Sequence, residues 1–310
     1  MTKITIATRK SDLAIWQARH VEALLRRTHP GIEVELLPMV TRGDIILDRP
    51  LAAIGGKGLF LKELEKALLS GEADIAVHSM KDVPVEDAPG LEVKVLLERA
   101  NPFDALLNLG GRTLEELPPG ARVGTSSLRR QCQLRALRPD LEVADLRGNV
   151  NTRIRKLEEG DYDAIILACA GLERLGLERY ISQVLQPPRW LPAGTQGTIG
   201  IQNREGDERV RELLEPLGDP AATLRTRAER AVATSLHGSC QVPLAVYATL
   251  EGGRLALSGL VGTPDGATLL RSDHEGPAEA VDDIAKAVTR ELVSQGAADI
   301  ITALGDTASR

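Results

Sequence analysis

Aromatic side chains are scarce in this 310-residue sequence, with two Trp, three Tyr and two Phe. That excludes recognition built on rows of stacking rings, as in single-strand nucleic-acid platforms. An excess of basic charge is also lacking. Lys and Arg number 38 against 44 Asp and Glu, a formal net of −6, which disfavours a general binder of DNA phosphates. The three cysteines, odd in number and far apart, make no disulfide framework, and no CxxC or comparable metal-ligand pair occurs, so no metal is expected. No apolar run approaches the roughly 18–20 residues that span a bilayer, so no membrane partner is expected. The start, Met1-Thr2-Lys3-Ile4-Thr5-Ile6-Ala7-Thr8-Arg9, has no apolar h-region, and no secretory signal is expected. What is present is an ordinary balance, 43% hydrophobic and 26% charged. The expectation is a cytoplasmic protein of two or three domains, each able to bury a core.

The apolar pattern alternates between short runs and helical spacing. Residues 4–7 read as a buried strand, followed by a helix that starts at Ser11 or Asp12, runs toward Thr28 and is ended by His29-Pro30-Gly31. Residues 32–37 read as a second strand. Leu61, Leu64 and Leu68 mark a helix that Gly71 stops, and residues 73–77 and 91–97 read as further strands. The pattern then repeats: strand 121–124, helix 127–137, strand 141–146, helix 149–159, strand 162–168. This order predicts two similar α/β lobes with parallel sheets and crossover helices, and a ligand cleft between them beyond the carboxyl ends of the strands. The remainder differs. A helix over 221–236 precedes three strands, over 243–250, 254–261 and 267–272, and Val281, Ile284, Val288 and Leu292 mark one helix face. This predicts a small α+β domain with an antiparallel sheet.

Charge is unevenly placed. Between Arg122 and Lys156 lie nine basic residues (Arg122, Arg129, Arg130, Arg135, Arg138, Arg147, Arg153, Arg155, Lys156) against three acidic ones, a local +6 within a remainder of −12. Arg129 and Arg130 lie near one helix start, and Arg147 and Arg153 flank Gly148-Asn149-Val150 before another. Helix N-termini and guanidinium forks both favour carboxylate or phosphate, so a site for several anions is expected; a solvated helix face is the competing reading for any single arginine. The run Val77-His78-Ser79-Met80-Lys81-Asp82-Val83-Pro84 follows a buried strand, where Asp82 beside Lys81 can act as acid, base or cation stabiliser, or be an ordinary turn residue. His78 reads more readily as hydrogen-bonded packing than as a catalyst. Gly55-Gly56-Lys57-Gly58 lacks the spacing and Ser/Thr of a Walker A loop and reads better as a lid. Cys132 and Cys169 read as packing residues, whereas Cys240 falls in a loop between helix and strand where a thiol can be exposed.

Taken in order, these segments resemble the hydroxymethylbilane synthase (porphobilinogen deaminase) family over essentially the whole chain. The carrying segments are Ile6-Ala7-Thr8-Arg9-Lys10-Ser11, Val40-Thr41-Arg42-Gly43-Asp44, Gly55-Gly56-Lys57-Gly58-Leu59-Phe60 and His78-Ser79-Met80-Lys81-Asp82-Val83-Pro84. With them go Gly124-Thr125-Ser126-Ser127-Leu128-Arg129-Arg130-Gln131, Leu146-Arg147-Gly148-Asn149-Val150-Asn151-Thr152-Arg153 and Cys240-Gln241-Val242-Pro243. The resemblance implies two α/β lobes of the periplasmic-binding-protein type II kind, 1–99 with 197–217 and 100–196. A C-terminal α+β domain, 218–310, would carry a three-stranded antiparallel sheet. It implies a monomer that condenses four porphobilinogen molecules head to tail, releases ammonia each time, and hydrolyses off linear hydroxymethylbilane. The growing chain would be held on a dipyrromethane cofactor joined by a thioether to Cys240.

Each pyrrole unit carries an acetate and a propionate, so the resemblance implies anion contacts. Cofactor contacts fall on Lys81, Ser127, Arg129, Arg130 and Asp82, substrate contacts on Arg9, Ser11, Arg147, Arg153 and Arg174, and a lid on Lys57 and Phe60. Asp82 would protonate the departing amine, stabilise the azafulvene-type cation and take the proton from the attacked ring carbon. Four positions depart from the family pattern: Ser239 for a second Gly before the cysteine, Phe103 for a frequent basic residue, Thr195 in the Gly194-Thr195-Gln196-Gly197 hinge, and Gln202 for a frequent acid. A non-catalytic two-lobe binding protein for a polycarboxylate is the alternative; it gives Asp82 and Cys240 no role.

Overall fold

The computed structural model describes residues 3–41, 43, 61–236 and 242–308. These form two compact units, the first from residues before 48, 61–100 and 197–223, the second from 101–196 and from 224 on.

In the first unit, strand β1 (Lys3–Arg9) leads to helix α1 (Asp12–Thr28), strand β2 (Glu33–Met39), helix α2 (Lys62–Leu69) and strands β3 (Ile75–Ser79) and β4 (Leu91–Leu96). Strand β10 (Ile199–Arg204) and helix α6 (Glu208–Leu214) return much later in the chain. Helix α1 forms because Ala14, Ala18, Val21 and Leu25 recur at helical spacing, and it buries Ala18, Val21 and Leu25 in one core with Ile4, Ile6 and Ile75 of the sheet. The sheet order is β2-β1-β3-β10-β4. Strands β1, β2 and β3 are parallel, and β10 runs antiparallel to both β3 and β4.

The second unit repeats this plan with β5 (Asp104–Leu107), β6 (Arg122–Gly124), α3 (Leu128–Leu137), β7 (Glu142–Ala144), α4 (Val150–Glu158), β8 (Ala164–Ala168), α5 (Cys169–Arg174) and β9 (Ile181–Leu185). Its sheet order is β7-β6-β8-β5-β9, with β6 parallel to β7 and β8 and β5 antiparallel to β8 and β9. Both sheets therefore have the strand order of a type II lobe, in which a strand arriving from elsewhere in the chain is inserted fourth. The expected all-parallel sheets are corrected to mixed ones. The inserted strands escape a reading by apolar runs because β5 is only four residues long and β10 alternates Ile with Gly, Gln and Asn.

The same unit contains α7 (Pro220–Ser235, which crosses the boundary), the antiparallel sheet β11 (Leu244–Glu251), β12 (Arg254–Gly262), β13 (Leu269–Pro277), and helices α8 (Val281–Ser294) and α9 (Ala297–Ala308). Val281, Ile284, Val288 and Leu292 of α8 are buried, as their spacing predicts, in a core with Val246, Leu255 and Leu257. No helix among the described residues is long and apolar enough to cross a membrane.

Candidate functional site

In each unit the expected residues gather where parallel strands end. In the first unit Arg9 is the last residue of β1, and Ser79 is the last of the adjacent β3. Ser11 stands at the N-cap of α1 and makes no capping bond with its side chain. A 3-10 turn, Met80–Asp82, follows β3 directly and carries Lys81 and Asp82, with Asp82 exposed. Arg9, Ser11, Lys81 and Asp82 thus share one carboxyl edge of one sheet. The turn is fixed from three sides. Met80 N donates to Thr198 O at 3.0 Å and Val83 N to Met80 O at 3.1 Å, while buried Gln17 of α1 donates to Ser79 Oγ at 2.8 Å. Gly200 is required opposite: a Cβ there would overlap Met80 Sδ and come within 2.9 Å of Val93 Cγ1.

His78, inside β3, is 7% exposed and its Nε2 lies 2.9 Å from Gln202 Oε1. It is packing held by a hydrogen bond, as its place after a buried strand suggests. Burial pushes its imidazole down to about 4, and the Gln202 bond only partly offsets this.

In the second unit the loops after β6 and β7 are tied together, Ser126 Oγ accepting from Leu146 N and donating to Leu146 O, both at 3.0 Å. Ser127 is the N-cap of α3. Asn149 caps α4 by accepting from Thr152 N at 2.9 Å, and Arg153 Nε donates to Gly148 O at 2.8 Å. Arg174 ends α5, which follows β8 without a break, and burial lowers its guanidinium to about 10. Ser127, Arg147, Arg153 and Arg174 therefore follow the carboxyl ends of three parallel strands.

Arg129 and Arg130 do not lie on a solvated helix face. They are 4% and 6% exposed, and both bind the fully buried Asp104. Arg129 Nη1 donates to Asp104 Oδ2 at 2.6 Å and Arg130 Nη2 to Oδ1 at 2.6 Å, with Arg129 Nη2 and Arg130 Nε adding bonds at 3.3 and 3.1 Å. Trp190 Nε1 (2.7 Å) and Gln196 Nε2 (3.0 Å) complete six bonds to this carboxylate. Burial would raise the Asp104 pKa, but the two guanidiniums hold it far below the usual carboxylate range. One carboxylate serves two guanidiniums, so the trio keeps a net +1. Asp104 was missed because it heads a four-residue strand; the signal is an acid opening the apolar run Ala105-Leu106-Leu107.

The other basic residues of the segment are spent elsewhere. Arg122 lies at the opposite edge, against Glu142 and the Tyr162 ring; Arg138 binds Asp140 and three backbone carbonyls; Arg135 donates to Pro264 O. Beyond Arg129 and Arg130, the segment thus brings Arg147 and Arg153 to the carboxyl edge. Thr195 is the one non-glycine residue with positive φ (61°) among the described residues, held by Thr195 N donating to buried Glu229 at 2.5 Å. Its neighbour Gln196 reaches Asp104. Phe103 packs at a tilt against Tyr247, an apolar contact where a basic residue was expected. Cys132 and Cys169 are buried free thiols, pushed by burial up to about 11 and about 12. Lys57, Phe60, Ser239 and Cys240 lie outside the described residues. Among those described, no group of three or more His, Cys, Asp or Glu is placed to hold a metal.

Two open α/β sheets of type II order, each with cationic groups at its carboxyl edge and one with an exposed carboxylate, define a two-lobed α/β protein suited to polycarboxylate chemistry. Comparison with known proteins makes this specific. The chain matches the family model "Porphobilinogen deaminase, dipyromethane cofactor binding domain" over residues 4–212 and "Porphobilinogen deaminase, C-terminal domain" over 223–294. It is 55% identical to porphobilinogen deaminase of Xanthomonas campestris pv. campestris (strain B100) over 305 residues, 98% of this chain and 100% of the relative. It is 55% identical to that of Xanthomonas oryzae pv. oryzae (strain PXO99A) over 304 residues, with the same coverage. Among solved structures it is similar to the periplasmic aliphatic sulphonate binding protein SsuA from Escherichia coli, with a TM-score of 0.41 and 16% identity over 76% of this chain and 71% of that one. The chain belongs to the porphobilinogen deaminase (hydroxymethylbilane synthase) family, whose members are transferases of tetrapyrrole biosynthesis. The binding-protein alternative is not favoured.

Proposed function

We propose that Asp82 is the proton-transferring residue of this family's reaction in this chain, and that the cations at the two carboxyl edges bind the acetate and propionate groups of the pyrroles. The observation that carries the reading is the exposed Asp82 on a turn braced from three sides, at the edge shared by Arg9 and Ser11. Protonated Asp82 gives its proton to the amino nitrogen leaving porphobilinogen, so nitrogen departs as ammonia. The carboxylate then faces the methylene cation that remains. Once the new carbon–carbon bond forms, Asp82 takes back the proton that the attacking ring carbon loses, and the cycle closes with no net gain or loss of protons.

The residues fit a dipyrromethane with its carboxylate-bearing rings. Arg129 and Arg130 share one buried counter-charge, and Ser127, Arg147, Arg153 and Arg174 stand along the same edge. With Lys81 and Cys240 these would hold the group, which when bound supplies a tethered pyrrole carbon as acceptor. Residues 218–310 form the domain that carries Cys240, and 1–99 with 197–217 and 100–196 form the two lobes. The protein works as a cytoplasmic monomer on porphobilinogen, without nucleic acid, and Lys57 and Phe60 belong to a lid.

Intact mass of the purified protein tests the assignment. An excess equal to two pyrrole units is expected, lost in Cys240→Ser and kept in Cys132→Ser. An unmodified wild-type chain overturns it.

A further inference from the structure

Beneath the Asp82 turn a polar chain runs from buried His78 and Gln202 to half-buried Glu65, and the proposed reaction leaves it unused. Gly200 pairs with His78 and Gln202 with Ala76 across β3 and β10, which puts the His78 and Gln202 side chains on one face of the sheet. Gln202 is 1% exposed. Its amide also hydrogen-bonds the carboxylate of Glu65 on α2. An amide has one donating and one accepting end. The Glu65 carboxylate takes the NH2 end, so His78 meets the oxygen and must offer Nε2–H, which leaves the lone pair on Nδ1.

The surrounding charges come from separate elements: Arg9 from β1 and Asp82 from the turn act on His78, while Lys62 and Asp87 act on Glu65. Arg9 opposes protonation of His78 and Asp82 favours it. The Gln202 amide adds no formal charge to this balance, where a carboxylate in its place would add a negative one against Nε2.

We infer that Gln202 is a positioning residue for Asp82: its uncharged amide fixes the Nε2–H tautomer of His78 under the turn and, unlike a carboxylate, leaves burial to keep the ring neutral, so that no imidazolium charge acts on Asp82. The inference rests on the proton-transfer assignment of Asp82 and deepens it. An imidazolium next to the turn favours the Asp82 carboxylate over the acid, and so narrows the pH range in which Asp82 can donate.

The experiment is Gln202→Glu in the full-length protein. Nitrogen-15 NMR of the imidazole should show wild-type His78 neutral at pH 7 and the variant protonated. The limb of the kcat/KM–pH profile governed by Asp82 should move down by about one unit, the size expected for one nearby charge. An unmoved limb overturns the inference, whether His78 stays neutral or becomes charged, and so does a mere fall in melting temperature. Should that variant fail to fold, Glu65→Gln carries the test. Without its carboxylate the amide can present either end, and His78 should report mixed tautomers; a single unchanged tautomer overturns the inference. Asp82→Asn separates the two levels: wild-type turnover in that variant removes the Asp82 assignment itself, whatever His78 does.

Discussion

Asp82 and Asp104 are the same side chain put to opposite uses. Asp104 opens β5 fully buried, with six hydrogen bonds from Arg129, Arg130, Trp190 and Gln196. Every lone pair it has is engaged, and its ionised state is locked by two guanidiniums. Such a group holds its partners in place and has no capacity left for a reacting proton. Asp82 stands exposed on a turn whose backbone is held by Thr198 and by its own Val83–Met80 bond, next to the Ser79 hydroxyl that Gln17 binds. There the scaffold is spent on placing the carboxylate rather than on satisfying it. The difference separates a residue that builds a site from one that, in the proposed reaction, works in it.

The contrast can be broken at several points. Asp82→Asn should leave unfolding stability within about 0.5 kcal/mol of wild type, as expected for an exposed position, while turnover measured as ammonia release falls by about 10²–10⁴. Asp104→Asn should instead show its first effect in stability, costing about 3–5 kcal/mol in urea unfolding because two buried guanidiniums lose their counter-charge. Equal stability losses in the two variants would erase the distinction.

The His78 layer predicts an acid transition. Its ring binds protons near 6.5 when unfolded and near 4 when folded, so between those values the unfolded chain takes up more protons. Stability present at neutral pH is therefore lost as pH falls from 6.5 through 4, by about 3 kcal/mol, and His78→Gln should flatten that slope. Gly200→Ala should cost about 1–3 kcal/mol by pushing Met80 aside, and turnover should fall with it because the Asp82 turn begins at Met80. Arg155→Ala, on the exposed side of α4, should change stability by less than about 0.5 kcal/mol and turnover not at all, since Arg155 pairs only loosely with Glu159 at 3.7 Å.

Much of this fold is legible in the sequence where periodicity is strong. Helices α1 and α8 are read from apolar spacing, and β1, β3 and β8 from apolar runs, because burial on one stripe or on both faces leaves that mark. Strands β5, β9 and β10 are not, since their place comes from pairing with strands distant in the chain, and pairing leaves little trace in composition. The candidate residues after β1, β3 and β6 are legible through their motifs. The use of Arg129 and Arg130 is not: a count of basic residues reveals charge, but the buried partner 25 residues upstream appears only once the chain is folded. Gln202 could be flagged as a departure but not explained, because its meaning lies in what its two ends touch.

The insertion of β10 between β3 and β4 has a consequence for biosynthesis. Met80, at the head of the Asp82 turn, bonds Thr198, and β3 finds its second neighbour only in residues 199–204. During synthesis the first four strands of that sheet emerge well before the fifth, with all strands of the second sheet made in between. The sheet that carries Asp82 is therefore left with an open seam until about two thirds of the chain has left the ribosome. Long-range closure of this kind is slow and leaves strand edges exposed to wrong partners. The Asp82 turn should acquire its native structure only once residues 199–204 are available, and chain arrest before residue 199 should leave it unformed.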